Sequence, residues 1–481
     1  MPFRFLSVLM LLALFTPITA VAANDKPLNF VVILIDDMGW MDLSCQGSKY
    51  YETPNIDRLA AAGVRFTDGY AACAVCSPTR AAVMTGRYPG RLGVTDWIRS
   101  RFQGGNIPKD KKNPSGYSGG RNRSLMVPRN ALWMESAEQT IAELLKPEGY
   151  VSCHIGKWHL GADDWYPDKQ GFDYNIGGCD YGQPPSYFDP YNQPKHRHAM
   201  IRAGIPSLKP RKAGEYLTDR EGDEAAGFIR KHHKDPFFLY LANYAVHTPI
   251  QARKDLTDRY EAKQKTDQKN AKYAAMVHSV DDAVGAVLDT LDELKIADRT
   301  VVIFTSDNGG LDRNGSPTEN APLRSGKGYA YEGGIRVPWI IRWPGVAKAG
   351  HVSSTPISSV DIFPTIAAAV GAKPKNEIDG KNIRTLIEGN DDLGRSDLFW
   401  HFPHYRHAPG PYSIIRSNEW KLIKWYDGST YDLYNLKDDL GEAKNLASSM
   451  PQKVKELDAK LMAHLKSIGA KLPKANPDYK K

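Results

Sequence analysis

Short apolar, β-branched runs recur along this chain, with helix-patterned stretches between them. Asn29 to Ile35 (NFVVILI) leaves no polar face for solvent, the signature of a strand covered on both sides. Tyr150–Ile155, Pro236–Asn243, Thr300–Thr305 and Val337–Arg342 repeat the pattern. Helical periodicity marks residues around Ala137–Leu145, Asp267–Leu294 and Ser359–Val370. Thr53-Pro54 opens a further helix through Gly63, with proline at the position where its missing N–H costs nothing. Strands alternating with helices predict an α/β fold, a large mixed but mainly parallel sheet sandwiched by helices. In such a sheet a ligand belongs beyond the carboxyl ends of the strands.

The pattern changes near residue 395, where Asp397–Phe402, Tyr412–Arg416, Trp420–Trp425 and Thr430–Asn435 read as short antiparallel strands. A helix from Pro451 to Ile468 follows, then a Lys- and Pro-rich tail expected to fray. The start of the chain reads as an address: Arg4, an apolar run from Phe5 to Phe15, then the small residues Ala20-Val21-Ala22. The expected organisation is a signal peptide at 1–22, a catalytic domain at 23–395 and a smaller C-terminal α/β subdomain at 396–481. Export to the periplasm or the cell exterior follows, and no later apolar run is long enough to anchor the chain in a membrane. An exported protein with five cysteines (Cys45, Cys73, Cys76, Cys153 and Cys179) leaves at least one thiol unpaired even if the others form disulfides. A formal charge of +8 fits an anionic substrate, while the absence of a dense Lys/Arg helix or a binding motif argues against nucleic acid.

The chemistry concentrates in Cys73 to Arg87, CAVCSPTRAAVMTGR. Cys76-Ser77-Pro78-Thr79-Arg80 leads into a helix-forming stretch, so Cys76 lies just before a helix N-terminus, where free N–H groups favour an anion. Arg80 adds a permanent cation with a fork suited to an oxyanion. Through Thr85-Gly86-Arg87 the stretch resembles the signature of type I sulfatases, members of the alkaline-phosphatase superfamily. The resemblance implies that Cys76 is oxidised after translation to formylglycine by a maturation enzyme, which would account for the odd thiol.

The rest of the chain extends the resemblance from residue 29 to 345, and weakly to 445. Asp36-Asp37 ends the first strand and Asp307-Asn308 ends another. Two strand ends bearing only oxygen donors point to one hard cation, Ca²⁺ or Mg²⁺ rather than zinc. The resemblance implies one Ca²⁺ held by Asp36, Asp37, Asp307, Asn308 and the modified Cys76. Gly156-Lys157-Trp158-His159 matches a family segment; if extended, it turns Lys157 and His159 to one side and Trp158 to the other. His154, in the strand before, reads as a core residue. His247 follows a strand in Val246-His247-Thr248-Pro249, and Lys327 lies in Gly326-Lys327-Gly328. Both match active-site positions of the family, which implies roles for His247 as general acid, His159 as base, and Arg80, Lys157 and Lys327 as cations facing sulfate.

Two alternatives stay open: an arylsulfatase or phosphate-ester hydrolase of the same superfamily, and a non-catalytic binder of sulfated glycans. Gly93–Ile98 (GVTDWI) resembles bacterial sulfatases acting on sulfated galactose or N-acetylgalactosamine, with Asp96 as an acceptor for sugar hydroxyls. The segment His401 to His407 (HFPHYRH) offers His404 and Arg406 to the same pocket, or is a plain subdomain loop. The basic segments Arg99–Arg123 and Gln193–Lys212 are either solvated loops or the borders of a groove for a polyanion.

Overall fold

The computed structural model describes residues 26–312, 316–406 and 409–480, so the expected signal peptide lies outside the described residues. Strand β1 (Asn29–Ile35) is the centre of an eight-stranded sheet. In chain order its partners are β2 (Val64–Phe66), β3 (Val151–Gly156), β4 (Tyr174–Ile176), β5 (Phe237–Ala242), β6 (Thr300–Ser306), β7 (Trp339–Arg342) and β8 (His351–Ser353). The spatial order is β8-β2-β7-β6-β1-β5-β3-β4. The pairs β6–β1, β1–β5, β5–β3, β3–β4 and β2–β8 are parallel, whereas β7 runs antiparallel to both β6 and β2. The mixed, mainly parallel sheet anticipated from the sequence is therefore present.

β1 explains why its sequence is apolar throughout. Val31, Ile33 and Ile35 enter the core on one face, and Phe30, Val32 and Leu34 enter the core on the other. Each such side chain taken fully out of water contributes roughly 1.5–3 kcal/mol. Helices α1 (Pro54–Ala61), α2 (Cys76–Thr85), α3 (Leu217–His232), α4 (Ala271–Glu293) and α5 (Ile362–Val370) surround the sheet. Helix α3 was not anticipated from the sequence, where its glycines lower helix propensity. Gly222 is there because α3 crosses α4 closely: a Cβ at that position would lie 3.0 Å from the Ala283 Cβ. The helix expected from Ala137 is shorter, Ile141–Leu145, and is closed by a capping box between Thr140 and Glu143.

A second, four-stranded antiparallel sheet comprises β9 (Asp397–Phe402), β10 (Tyr412–Ser417), β11 (Trp420–Trp425) and β12 (Thr430–Asn435), covered by α6 (Pro451–Ser467). Buried ion pairs weld it to the first: Lys421 sits between Glu332 and Glu442 at 2.9 and 2.7 Å, and Arg416 reaches Asp68. The tail is not frayed. Lys474–Ala475 pairs with Met126 and Leu125 in an antiparallel ladder, and Asn476 donates to the carbonyls of Gly120 and Arg123. A long-range partner that composition does not reveal holds this polar segment down. No described helix is long and apolar enough to cross a membrane.

Candidate active site

Sheet register assembles the site. Ile35 pairs with Ser306, so one step further Asp36 and Asp307 emerge side by side beyond the ends of β1 and β6. Ala242 at the end of β5 pairs with Leu34 on one side and Gly156 on the other, which delivers Lys157 and the segment to His247 at the same edge. α2 begins at Cys76, and the Cys76 and Arg80 side chains are buried on its first turns.

Three carboxylates and three cations interlock there. Arg80 donates Nε to Asp307 Oδ2 (2.8 Å) and Nη1 to the Lys157 carbonyl (2.7 Å). Lys157 Nζ donates to Asp36 Oδ2 (2.6 Å), and Lys327 Nζ donates to Asp37 Oδ1 (2.5 Å). Asn308 Nδ2 donates to the same Asp37 oxygen (2.8 Å), and the Asp37 N–H donates to Asp307 Oδ1 (3.2 Å). Lys327 reaches the cluster from a loop of closely layered backbone; a Cβ at Gly326 would lie 2.2 Å from the Gly310 carbonyl oxygen. Burial and the neighbouring Asp307 push the Asp36 carboxyl well above its usual range. Burial also acts against ionised Asp37 and Asp307, but His247 and Lys327 hold the first below its usual range, and Arg80 and Lys157 the second.

The donor set fits a hard divalent cation. Asp36 Oδ1 and Asn308 Oδ1 are fully buried oxygens with no hydrogen-bond partner among the described residues, and a buried acceptor left bare is costly. Asp36, Asp37 and His247 also offer ligand atoms that all lie within 4.8 Å of one another. Two bare oxygens beside two ionised carboxylates suit Ca²⁺ or Mg²⁺ rather than a softer metal. A bound divalent cation would hold Asp36 ionised as well; the three aspartates would then cancel the three cations, leaving two net positive charges for an incoming anion.

Both histidines are neutral, with tautomers fixed by their partners. His159 Nε2 lies 2.7 Å from the Ile98 carbonyl, which only accepts, so Nε2 carries the proton and Nδ1 is bare. That bare Nδ1 faces Cys76 Sγ at 3.3 Å. Burial, reinforced by Lys157 and Arg80, drives the His159 pKa well below its ordinary value. His247 donates from Nδ1 to the Thr248 carbonyl (2.9 Å) and points Nε2 toward Asp37 Oδ2 (3.5 Å); burial lowers its pKa to about 3.

The route by which Lys157 and His159 converge differs from the sequence-based expectation. The segment is not extended: His159 has φ 61°, in the left-handed region, so the pleat does not align the two side chains. Instead the turn at His159 lays its ring against Cys76 while Lys157 points to Asp36. Trp158 does pack away, buried against Phe172 and His154, and His154 is a core residue, neutral with its pKa lowered to about 3 by burial. Sequence reasoning missed Ser77, whose hydroxyl donates to the His159 carbonyl (2.9 Å) and accepts from the Ile98 N–H (2.9 Å). It thereby fixes both ends of the histidine's hydrogen-bond frame. Only its place next to Cys76 could have drawn attention to it.

Asp96, His404 and Arg406 gather to one side. Asp96 Oδ1 pairs with Arg406 Nη1 (3.3 Å), and His404 Nε2 lies 2.7 Å from Thr95 Oγ1. Asp96 and His404 line a cleft of about 340 Å³ together with Trp97, Arg99, Arg123 and Asn130. Of the histidine-rich segment, His404 and Tyr405 face this cleft, whereas His401 is tied to Ser413 and Lys471 in the second sheet. His407 lies outside the described residues. The basic segment Arg99–Arg123 contributes to the cleft, and Gln193–Lys212 contributes none of its lining.

A sequence profile described as Sulfatase matches residues 28–372, and one described as N-sulphoglucosamine sulphohydrolase, C-terminal, matches residues 325–471. A protein of Formosa agariphila named Sulfatase is 34% identical over 89% of this chain and 86% of its own length. Human N-acetylgalactosamine-6-sulfatase is 37% identical over 76% of this chain and 66% of its own length. Among solved structures, Ps i-CgsB in complex with k-i-k-neocarrahexaose superposes with a TM-score of 0.75 at 30% identity, covering 92% of this chain and 93% of that one.

Proposed function

The chain belongs to the sulfatase family of sulfuric ester hydrolases, and from that premise we propose that it removes sulfate from sulfated carbohydrates of galactose or N-acetylgalactosamine type, with an oxidised Cys76 as its nucleophile. The observation that carries the reading is the contact of Cys76 Sγ with the bare Nδ1 of His159 inside a cluster of three cations. A relative named for N-acetylgalactosamine and a structure holding a neocarrahexaose support the carbohydrate class.

Formylglycine at position 76, made by a maturation enzyme of the host, would supply a hydrated aldehyde, which can attack sulfur and later expel sulfate where a serine would stay esterified. Asp36, Asp37, Asp307 and Asn308 would hold a Ca²⁺, whose charge draws electron density from the ester oxygens. Arg80, Lys157 and Lys327 neutralise the anion as the nucleophile approaches, the kind of fixed electrostatic support that dominates such reactions. His159 Nδ1 accepts a proton from the group at position 76. His247 Nε2 delivers a proton to the leaving oxygen; the arriving anion and Asp37 favour the protonated ring that burial, Lys327 and Lys157 oppose. The signal-like N-terminus supports export, which brings the enzyme to polymeric substrates outside the cytoplasm.

Mass spectrometry of the peptide spanning residue 76, from protein active on a sulfated galactoside, tests this reading. The expected result is loss of the thiol and gain of an aldehyde. Full activity with an intact thiol at position 76 would refute it.

A further inference from the structure

Beside the nucleophile lies a cationic cleft that sulfate-ester hydrolysis alone does not require. Its wall toward Cys76 is Trp97, whose ring centroid is 6.5 Å from that of His159. Its other sides carry Arg99, Arg123 and Arg129, all exposed, and among the described residues none of the three forms an ion pair with a carboxylate. The one carboxylate lining the cleft, Asp96, is already paired with Arg406. Arginines that stabilise this fold look different: Arg91 is bound to Asp379 at 2.6 Å and Arg101 to Asp163 at 2.6 Å.

The cleft is braced rather than loose. Arg123 lies 4.7 Å over the Tyr405 ring, and the Tyr405 hydroxyl is bonded to Asp427 (2.9 Å). The tail holds the same segment from behind, with Asn476 Nδ2 on the Arg123 carbonyl (2.8 Å) and the Lys480 N–H on the Arg121 carbonyl (2.9 Å). On the opposite wall, Asn130 accepts from the N–H groups of Thr95 (2.9 Å) and Asp96 (3.0 Å), and Nδ2 donates to the Asp96 carbonyl (2.9 Å). Three distant segments are thus fixed around guanidinium groups that, among the described residues, meet aromatic rings but no carboxylate. Fixing them before a ligand arrives removes the ordering cost from binding.

We propose that this cleft is a second anion subsite, in which Arg123 and Arg129 hold an oxyanion carried by the sugar next to the one being desulfated. The inference rests on the carbohydrate reading above and narrows it: the preferred substrate carries at least two anionic groups, one at Cys76 and one beyond Trp97. A planar guanidinium grips sulfate ester and carboxylate alike, so the second group is a sulfate or a uronate.

The test uses the matured full-length enzyme, the double variant Arg123→Gln/Arg129→Gln, and Lys209→Gln as a control outside the cleft. kcat/KM is measured on matched oligosaccharides that share the scissile sulfate and carry, on the neighbouring sugar, a second sulfate, a uronate carboxylate or no charge. The wild type is expected to prefer one or both doubly anionic substrates. In the double variant that preference should fall about tenfold, chiefly through KM, as two solvent-exposed charged contacts predict. The control should keep the full preference, and the wild-type preference should shrink with added salt. The more favoured of the two doubly anionic substrates identifies the second group. A wild type without preference for a second anion overturns the subsite and leaves the carbohydrate reading standing. So does a preference that survives in the double variant or falls equally in the control. A wild type that hydrolyses aryl sulfates but none of the sugars overturns both.

Discussion

Arg80→Lys separates positioning from charge, because it keeps the cation and removes the fork. In the structure one guanidinium spans Asp307 Oδ2 (2.8 Å) and the Lys157 carbonyl (2.7 Å). Its Nη2 is ion-paired with Asp307 Oδ2 (2.8 Å) and lies 4.0 Å from Asp36 Oδ1, but among the described residues it makes no aligned hydrogen bond, so it retains an N–H for an ester oxygen. A single ammonium cannot fill the three directions at once. It keeps the Asp307 contact and gives up the Lys157 carbonyl and the donor reserved for the ester. A hydrogen bond involving a charged group is worth roughly 1.5–3 kcal/mol, so two losses amount to about 3–6 kcal/mol. The Lys157 bond exists in the free enzyme, so part of its loss appears as stability and not as rate. Retaining about 3–4 kcal/mol in the transition state gives a fall of roughly 100- to 1000-fold in kcat/KM. The assay is kcat/KM on a sulfate ester, with the melting temperature and the mass of the residue-76 peptide taken from the same sample. These two measurements keep a folding or maturation defect from passing as a catalytic one. A correctly matured, folded Arg80→Lys enzyme within tenfold of the wild type would show that charge alone suffices and that the fork is incidental.

Two further outcomes follow from buried groups. Protein stripped with a chelator should melt lower and recover on addition of Ca²⁺, by about 2.7 kcal/mol at a hundredfold excess over Kd, and Asn308→Ala should blunt the recovery. A melting temperature indifferent to millimolar Ca²⁺ would contradict the donor set of Asp36, Asp37, Asp307 and Asn308. His154 has its pKa lowered by burial to about 3, so the folded state binds this proton later than the unfolded chain does. Its neutral form supports stability fully above the ordinary histidine value near 6.5, and that support is lost as pH falls from there toward 3. In His154→Phe the dependence of stability on pH between about 4 and 6 should therefore be shallower by close to one proton. An unchanged slope would mean that the ring is already charged in the folded state.

What could be read from the sequence was local. Strand-end carboxylates such as Asp36 and Asp307 announce themselves because an apolar run stops at them, and the antiparallel C-terminal strands show as alternating runs between turns. Their meeting at one cation was expected from the donor types and the family resemblance, but the register that brings it about, Ile35 pairing with Ser306 across a separation of 271 residues, was not legible. The same limit applies to the tail, whose Lys- and Pro-rich composition says nothing of its ladder to Leu125 and Met126. Lys157 and His159 illustrate a subtler failure. The residue types and their destination were right, but the spacing argument assumed a pleat, and the chain instead turns through a left-handed residue at His159. The turn matters chemically: it lets the Lys157 carbonyl accept from Arg80 while the His159 carbonyl accepts from Ser77. Both ends of α2's first turn are thereby clamped to the strand-end loop that carries the cation and the base. Cys76, Arg80 and His159, the proposed nucleophile, anion-binding cation and proton acceptor, are therefore held as one piece, set against carboxylates that parallel register alone supplies.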